Sequence, residues 1–343
     1  MSGRTVGDAS MTTVSRTSHS LLGLPGAMLD RLATPRRFTT LVLVNAGLLW
    51  FILLSGALVR LTGSGLGCPD WPLCDGGVVP AAGYHQVIEY TNRLASAFIL
   101  LVTVLTFLTA RRIANARPAL RGYALSAMTM SILQVPLGGL TVLTDLHPLM
   151  VASHFLLSIG ALTMAVLLVI TNDDHRNGRT RATDRRRGPF AGLSALALLA
   201  AIVTGVLVTA AGPHSGDDDV LKRFGDLEAA AWLHVRAVAV LVVLMIVLAV
   251  WTRREPPTDP RAKRAVAVFL TLLGIQIVIG EVQYRHGLPW QVVLAHVAVA
   301  GLVWMAGVTL AWRVGRPPRT AGAPDGLAPP SEREPVAAAA SAV

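Results

Sequence analysis

Eight long apolar runs constrain the fold of this chain more than any other feature of its sequence. A helix of about 20 apolar residues is long enough to cross the ~30 Å hydrocarbon core of a bilayer. The chain has 343 residues, of which 53% are hydrophobic and only 15% are charged, a low charge content for a water-soluble protein. The sequence therefore predicts an all-α integral membrane protein with eight transmembrane helices, near residues 39–59, 86–110, 122–143, 149–171, 190–211, 229–251, 265–284 and 290–312.

The distribution of basic residues indicates membrane topology and not nucleic-acid binding. The net charge is +10, but 24 of the 30 Lys and Arg residues fall on one side of the membrane if both termini are cytoplasmic. This asymmetry is the positive-inside bias of membrane proteins. We therefore expect a multi-pass plasma-membrane protein with cytoplasmic termini, in contact with lipid and not with nucleic acid. The first apolar run is long enough to remain a helix, so we expect no cleaved signal peptide.

A histidine recurs at the same place in two similar apolar segments. Gln134 precedes His154 by 20 residues (154 − 134), and Gln276 precedes His296 by the same interval (296 − 276). Ionisable side chains are costly in a membrane and mark functional sites, although a polar residue can also simply bond two helices together. The repeat predicts two pseudo-repeated four-helix bundles, which share one orientation because each half crosses the membrane an even number of times.

The repeat and the composition together divide the chain into five segments. The two halves, residues 39–171 and 190–312, are joined by an Arg-rich cytoplasmic linker at 172–189. Residues 1–38 are rich in Ser, Thr and Arg, and residues 313–343 are rich in Pro and Ala. Because such segments hold little apolar surface that could pack, we expect both to be disordered cytoplasmic tails.

Two histidines at similar depth in the C-terminal half predict a haem site. His234 lies 62 residues before His296 (296 − 234), near the outer end of another apolar run. Two neutral imidazoles across a gap are the axial ligands of a bis-histidine haem, whereas zinc or copper usually takes three or four protein ligands. Arg236 would pair with a haem propionate. The alternative for Arg236 is a side chain that snorkels to the membrane interface.

The N-terminal half departs from this pattern. The position 62 residues before His154 is Asn92 (154 − 92). His85 and Glu89 precede Asn92 on the same helical face, because intervals of four and seven residues return close to one angle on a helix. A carboxylate buried in a membrane helix is a candidate proton donor or acceptor. The alternative for Glu89 is an ion pair with Arg93, four residues later.

The two cysteines, Cys68 and Cys74, lie together in the first outer loop. Because the outer side of the membrane is oxidising, a disulfide between them is favoured. Such a bond is either a structural staple or a redox-active pair near the haem.

Taken together, these residues resemble the haem A synthase family over roughly residues 39–312. The resemblance rests on several motifs as well as on the helix histidines. The motifs are Gly56-Ala-Leu-Val-Arg60-Leu-Thr-Gly63-Ser-Gly65, the loop from Cys68 to Cys74 with Trp71-Pro72, Ile88-Glu89-Tyr90-Thr91-Asn92-Arg93, and Leu133-Gln134 followed by Gly138-Gly139-Leu-Thr141-Val142.

The resemblance implies a membrane oxidoreductase that oxidises the C8 methyl group of haem O to a formyl group, giving haem A for cytochrome oxidase. It implies a haem b on His234 and His296. It places the substrate haem O, and the product haem A, on His154 in the N-terminal half, with Glu89 taking part in catalysis. The expected partners are the farnesyltransferase that makes haem O, cytochrome oxidase assembly and an unidentified electron acceptor. A homo-oligomer is left open.

One position departs from the family pattern. Many members have a histidine three residues after the glutamate, where this chain has Asn92. Either His85 replaces that ligand from two turns earlier, or His154 alone holds the substrate iron. We expect His85 and Arg93 to lie near the substrate.

Two other functions fit parts of the pattern. A membrane di-haem electron-transfer protein without substrate chemistry would also hold imidazoles in both halves, but it would gain nothing from the asymmetry at Asn92. A transporter with rocking halves would place its polar residues at mid-membrane, whereas those of this chain cluster in the outer third.

Overall fold

The computed structural model describes residues 26–68, 70–77, 79, 83–214, 216–217, 225–257 and 259–319. Over these residues the chain forms nine α-helices and two isolated β-bridges. The helices are α1 (Gly26–Leu32), α2 (Pro35–Leu61), α3 (Tyr84–Ala110), α4 (Pro118–Leu143), α5 (Pro148–Arg176), α6 (Arg187–Ala211), α7 (Leu227–Arg254), α8 (Pro260–Arg285) and α9 (Trp290–Gly315).

Helices α2 to α9 confirm the eight predicted transmembrane segments. Each is 25 to 29 residues long and contains an apolar window suited to a membrane span. Half of them begin at a proline, whose fixed φ and missing N–H suit the first helical position. Large apolar side chains such as Val243 and Ile246 on α7 are more than half exposed. Such surfaces are expected where lipid is the solvent of the helix.

Helix α1 lies within the segment 1–38, for which the sequence predicts disorder. Leu29 is buried, and Asp30 pairs with Arg112 at 3.0 Å. The composition of the segment predicts no packed helix, but one buried leucine and one ion pair anchor α1 beside α2 and α3. The remainder of that segment and the predicted C-terminal tail beyond residue 319 lie outside the described residues.

Each half of the chain forms a bundle of four helices. In the first bundle, α2 and α4 each pack against both α3 and α5. In the second, α6 packs against α7 and α9, while α8 packs extensively against α9 and sparsely against α7. The diagonal pairs, α3 with α5 and α7 with α9, make no close backbone contact within the described residues. This arrangement is consistent with the predicted repeat.

The two bundles meet through α2, α5, α6 and α9. Leu162 is fully buried in the apolar core that the bundles share. Two tryptophans also link them, because the indole of Trp50 donates to the backbone oxygen of Ala298 at 3.0 Å and that of Trp304 donates to the hydroxyl of Thr163 at 2.8 Å. The halves are therefore joined by both apolar packing and hydrogen bonds.

The two ends of the molecule differ in character. We call the end at which α2 ends and α3 begins the histidine end, and the end at which α5 joins α6 the linker end. At the linker end, Arg181 binds the buried carboxylates of Asp174 at 2.5 Å and Asp259 at 3.4 Å. Burial alone would lower the pKa of Arg181, but these carboxylates raise it overall. The Arg-rich linker is therefore fastened to both halves by buried ion pairs.

Candidate functional site

The repeated histidines have the same backbone contacts in both halves. The side-chain amide of Gln134 on α4 donates to the backbone oxygen of His154 on α5 at 3.2 Å. The amide of Gln276 on α8 donates to the backbone oxygen of His296 on α9 at 3.1 Å. Each bond ties together the two helices of a hairpin. The equal spacing in the sequence therefore corresponds to equal contacts in space.

A glycine lies beside each of these imidazole rings. A Cβ atom at Gly138 would lie 3.3 Å from Cε1 of His154, and one at Gly280 would lie 3.2 Å from Cε1 of His296. Any larger residue would press on the ring, so glycine is what allows the imidazole to lie this close to the neighbouring helix. The Nδ1 atoms of both histidines are buried and have no hydrogen-bond partner in the described part of the chain.

His234 on α7 has the same kind of glycine contact and, in addition, a polar partner. A Cβ atom at Gly205 would lie 3.3 Å from its Cε1. The hydroxyl of Thr204 lies 3.1 Å from Nδ1 of His234 and donates its proton to the backbone oxygen of Ala200 at 2.8 Å. A hydroxyl has one proton to give, so we assign Nδ1–H as the donor to Thr204. Nε2 then carries the lone pair that a metal ion binds.

His234 and His296 lie on two different helices of the second bundle. Their helices, α7 and α9, form a diagonal pair without close backbone contact. Cofactor sites of helix bundles lie between facing helices of this kind. Two imidazoles in this arrangement can bind, from opposite sides, a metal whose other ligands are supplied by a cofactor.

In the first bundle, Glu89 is buried and both of its carboxylate oxygens are bonded. Oε1 accepts from Nη2 of Arg93 at 2.6 Å, and Oε2 accepts from the backbone N–H of Cys68 at 2.7 Å. The ion pair considered as the alternative for Glu89 is therefore present. Because charge-assisted bonds are short and directional, the loop that carries the cysteines positions this carboxylate.

Arg93 binds the same loop through three backbone carbonyls. Its guanidinium donates to the oxygen of Cys68 at 2.9 Å, of Asp70 at 3.0 Å and of Leu73 at 2.8 Å. A planar fork with five N–H donors can make all of these bonds together with the bond to Glu89. Arg93 thus fastens the loop to α3, and its contact with a substrate stays a prediction.

The predicted disulfide between Cys68 and Cys74 is present, which confirms that part of the site. The same loop carries Trp71, whose ring lies against α4. A Cβ atom at Gly139 would lie 2.6 Å from that ring. Gly138, the residue before Gly139, lies against the ring of His154. The loop therefore packs onto α4 directly beside the histidine of the first bundle.

A chain of hydroxyl groups holds His85 at the start of α3. Nδ1 of His85 lies 2.9 Å from the hydroxyl of Ser64, which lies 2.9 Å from the hydroxyl of Thr62. Thr62 donates to the backbone oxygen of Leu58 at 2.9 Å. The direction of that last bond makes Ser64 the donor to Thr62 and the acceptor from Nδ1–H of His85. This leaves Nε2 of His85 with a lone pair, and a ligand role for it stays a prediction.

Two further predicted residues have simpler surroundings. Oδ1 of Asn92 is buried and makes no hydrogen bond within the described residues. Arg236 is exposed on α7, and its pairing with a propionate stays a prediction.

A polar link that no local sequence pattern predicts joins the two halves at the histidine end. Arg60 donates to the backbone oxygen of His214 at 2.6 Å, and Nε2 of His214 donates to the backbone oxygen of Leu288 at 2.8 Å. These bonds join the ends of α2 and α8 to the loop after α6, and they border a cavity of about 390 Å³. Only the position of Arg60 beside the Gly-Ser motif hinted at a structural role.

Comparison with known proteins gives a consistent result. A family model described as cytochrome oxidase assembly protein (COX15-CtaA) matches residues 39–308. A protein of Bacillus licheniformis named Heme A synthase is 34% identical over 135 residues, which span 38% of this chain and 44% of that protein. Proteins of the same name from Symbiobacterium thermophilum and Shouchella clausii are 26% and 28% identical over 69% and 70% of this chain, and over 82% of each relative.

The matched region contains all eight transmembrane helices in whole or in large part, and with them each histidine discussed above. Because the family model covers far more than half of the chain, this protein belongs to the cytochrome oxidase assembly family COX15-CtaA.

Proposed function

We propose that this protein is a haem A synthase, which oxidises the C8 methyl group of haem O to a formyl group. Membership of the family and the names of the relatives support this function. The observation that carries it is the matched pair of histidine sites, one in each bundle, with His154 and His296 in the same contacts. Two haem sites are what such a reaction needs: one for the substrate and one for electron transfer.

The residues of the C-terminal half fit a resident haem b. The donor set is two imidazoles on a diagonal helix pair, and Thr204 keeps the lone pair of His234 on Nε2. The glycines beside both rings, which let each imidazole lie close to the neighbouring helix, agree with this use. His234 and His296 would bind the haem iron, and Arg236 would pair with a propionate. When bound, this haem supplies one-electron chemistry, passing electrons on to an unidentified acceptor.

The N-terminal half would hold the substrate haem through His154. Conversion of the methyl group to a formyl group removes protons and electrons from the carbon and adds one oxygen atom. Glu89 would handle the protons, since it is a buried carboxylate on the helix diagonal to His154. Glu89 must weaken its bond to Arg93 or to the N–H of Cys68 to take up a proton. Arg93 and the disulfide loop would thereby set its proton affinity.

The proposed cellular setting follows from the same assignment. The distribution of Lys and Arg residues supports cytoplasmic termini, with the histidine end at the outer face of the plasma membrane. The proposed partners are the farnesyltransferase that supplies haem O and the cytochrome oxidase assembly that receives haem A.

Haem extraction from cells tests the function directly. The chain is expressed in cells that lack their own haem A synthase, and the extracted haems are separated by chromatography. Haem A should appear with the wild-type chain, whereas His154→Ala and Glu89→Gln should accumulate haem O. His175→Ala, at the linker end, is the matched control and should behave as wild type. Haem O that stays unconverted in cells with well-expressed wild-type protein would contradict the proposal.

A di-haem electron-transfer protein is the second candidate, favoured by the equal contacts of His154 and His296. It would bind two haems and leave haem O unchanged in the same extraction.

A further inference from the structure

We infer that the N-terminal bundle is a one-imidazole site for an exchangeable haem, and that Asn92 takes the place of the second imidazole ligand. The inference rests on the proposed function, because it concerns how the substrate haem is held. It states that the two halves share one architecture but differ in ligand strength. The C-terminal half retains its haem, whereas the N-terminal half releases it.

Asn92 holds the position in the first half that corresponds to His234 in the second. Asn92 precedes His154 by the same interval of 62 residues by which His234 precedes His296 (154 − 92; 296 − 234). The helices also correspond, since α3 and α5 form a diagonal pair in the first bundle just as α7 and α9 do in the second. The two histidines of the second bundle lie on these diagonal helices, His234 on α7 and His296 on α9. Asn92 therefore occupies the place from which a second imidazole would face His154.

The space beside the preceding helix, α2 in the first bundle and α6 in the second, differs between the two bundles. In the second bundle, Gly205 on α6 lies against the ring of His234, with a Cβ-to-ring separation of only 3.3 Å. The matching glycine of the first bundle is Gly56, since Gly56-Ala-Leu-Val resembles Gly205-Val-Leu-Val. A Cβ atom at Gly56 would have no neighbour within 4 Å. The first bundle thus keeps the glycine of an imidazole site while the imidazole itself is missing.

The side chains of Asn92 and His85 also fit a site with one imidazole. The carboxamide oxygen of Asn92 is buried without a hydrogen-bond partner among the described residues, so it is free to face a ligand. His85 lies two turns away, about 10 Å along the helix axis, and Ser64 fixes its orientation there. His85 therefore does not lie at the place that corresponds to His234.

An imidazole and a carboxamide oxygen differ in how well they bind iron. Imidazole suits iron, whereas carbonyl oxygen suits harder cations such as Mg²⁺ and Ca²⁺. A haem held by His154 and faced by Asn92 is therefore bound through one strong ligand. A substrate haem must enter and leave in every turnover, which a site with two strong ligands would slow.

The test replaces Asn92 with histidine in the full-length protein. Wild-type protein, the variant and the control Thr91→His, on an exposed position of α3, are purified and loaded with haem O. Their absorption and EPR spectra are recorded, together with the rate of haem transfer to apomyoglobin. Asn92→His should add a second low-spin bis-imidazole signal and slow the release of one haem by about tenfold or more, because ligand changes act mainly on off-rates. The control should do neither.

Two further measurements keep the inference testable if Asn92→His does not fold. Free imidazole added to the loaded wild-type protein should convert one haem to a low-spin form, since one axial position lacks a strong ligand. His234→Asn should turn the retained haem of the second bundle into an exchangeable one. A wild-type protein that already has two bis-imidazole haems, or an Asn92→His spectrum identical to wild type, would overturn the inference. These spectra do not depend on haem A formation, so failure of the proposed function would be seen separately, as haem O left unconverted in the extraction from cells.

Discussion

The glycine beside His296 offers the sharpest test of the histidine geometry. In Gly280→Ala the new Cβ atom would lie 3.2 Å from Cε1 of the ring. Favourable contacts between carbon atoms lie at about 3.5–4.0 Å, so the ring must shift by at least about 0.3 Å. Overpacking of this kind costs about 1–3 kcal/mol.

Gly280→Ala also has a favourable effect, which can be measured separately at Gly274, a second glycine of α8. Replacing glycine with alanine inside a helix stabilises it by about 1 kcal/mol. A Cβ atom at Gly274 would meet no atom within 4 Å, so Gly274→Ala should show this gain alone. The free energy of unfolding should therefore be lower in Gly280→Ala than in Gly274→Ala by about 1–3 kcal/mol.

Thermal unfolding in detergent, followed by circular dichroism, measures this difference, and the absorption spectrum of bound haem reports the position of the ring. Gly280→Ala should shift the haem spectrum, while Gly274→Ala should not. Equal stabilisation of both variants with unchanged spectra would refute the idea that Gly280 positions His296.

Three other substitutions test separate contacts. Arg93→Ala removes the guanidinium that binds Glu89 and three loop carbonyls, so it should destabilise the protein by about 3 kcal/mol and expose the disulfide loop to limited proteolysis. Thr204→Val removes one of two acceptors for the ring of His234, the other being the backbone oxygen of Ala201, so haem retention should fall by at most about tenfold, whereas Ser194→Ala on the same helix should retain haem normally. Arg181→Ala removes the cation nearest to two buried carboxylates, which keep only the longer contacts of Asp174 with Arg179 at 3.8 Å and of Asp259 with Arg313 at 3.6 Å, and should cost about 3 kcal/mol in thermal unfolding, while Arg186→Ala, whose side chain is 78% exposed, should cost less than about 1 kcal/mol.

The sequence predicts the membrane spans well because their signal is local. Apolar runs of spanning length identified all eight helices, and the structure extends each of them by no more than a few residues at either end. The extensions have physical causes. Prolines begin four of the helices, and α5 runs on to Arg176 because polar residues near its end, such as Asp174, are paired.

Contacts between distant segments could not be predicted in the same way. Arg60 meets His214 across 154 residues, and Trp50 meets Ala298 across 248. No local pattern reports such pairs, because they depend on how the two bundles are packed. Helix α1 was not predicted for a similar reason, because the contacts that hold it are made with α2 and α3.

The site was predicted in part. Equal spacing pointed to His154 and His296 because a duplicated bundle repeats its contacts, and the glutamines and glycines around them follow the same repeat. His234 was selected by its depth in its apolar run, which is similar to that of His296. Thr204 gave no such signal, because a threonine on an apolar helix more often bonds its own backbone. The hydrogen bonds of Arg93 to the disulfide loop could not be predicted either, since they use backbone carbonyls that carry no sequence information.

The most direct test of this account is the EPR spectrum of the oxidised, purified protein. Binding of a haem b between His234 and His296 predicts a low-spin bis-imidazole signal that is lost in both His234→Ala and His296→Ala and is retained in His154→Ala. A low-spin signal that survives both of the first two substitutions would show that these imidazoles do not hold the haem.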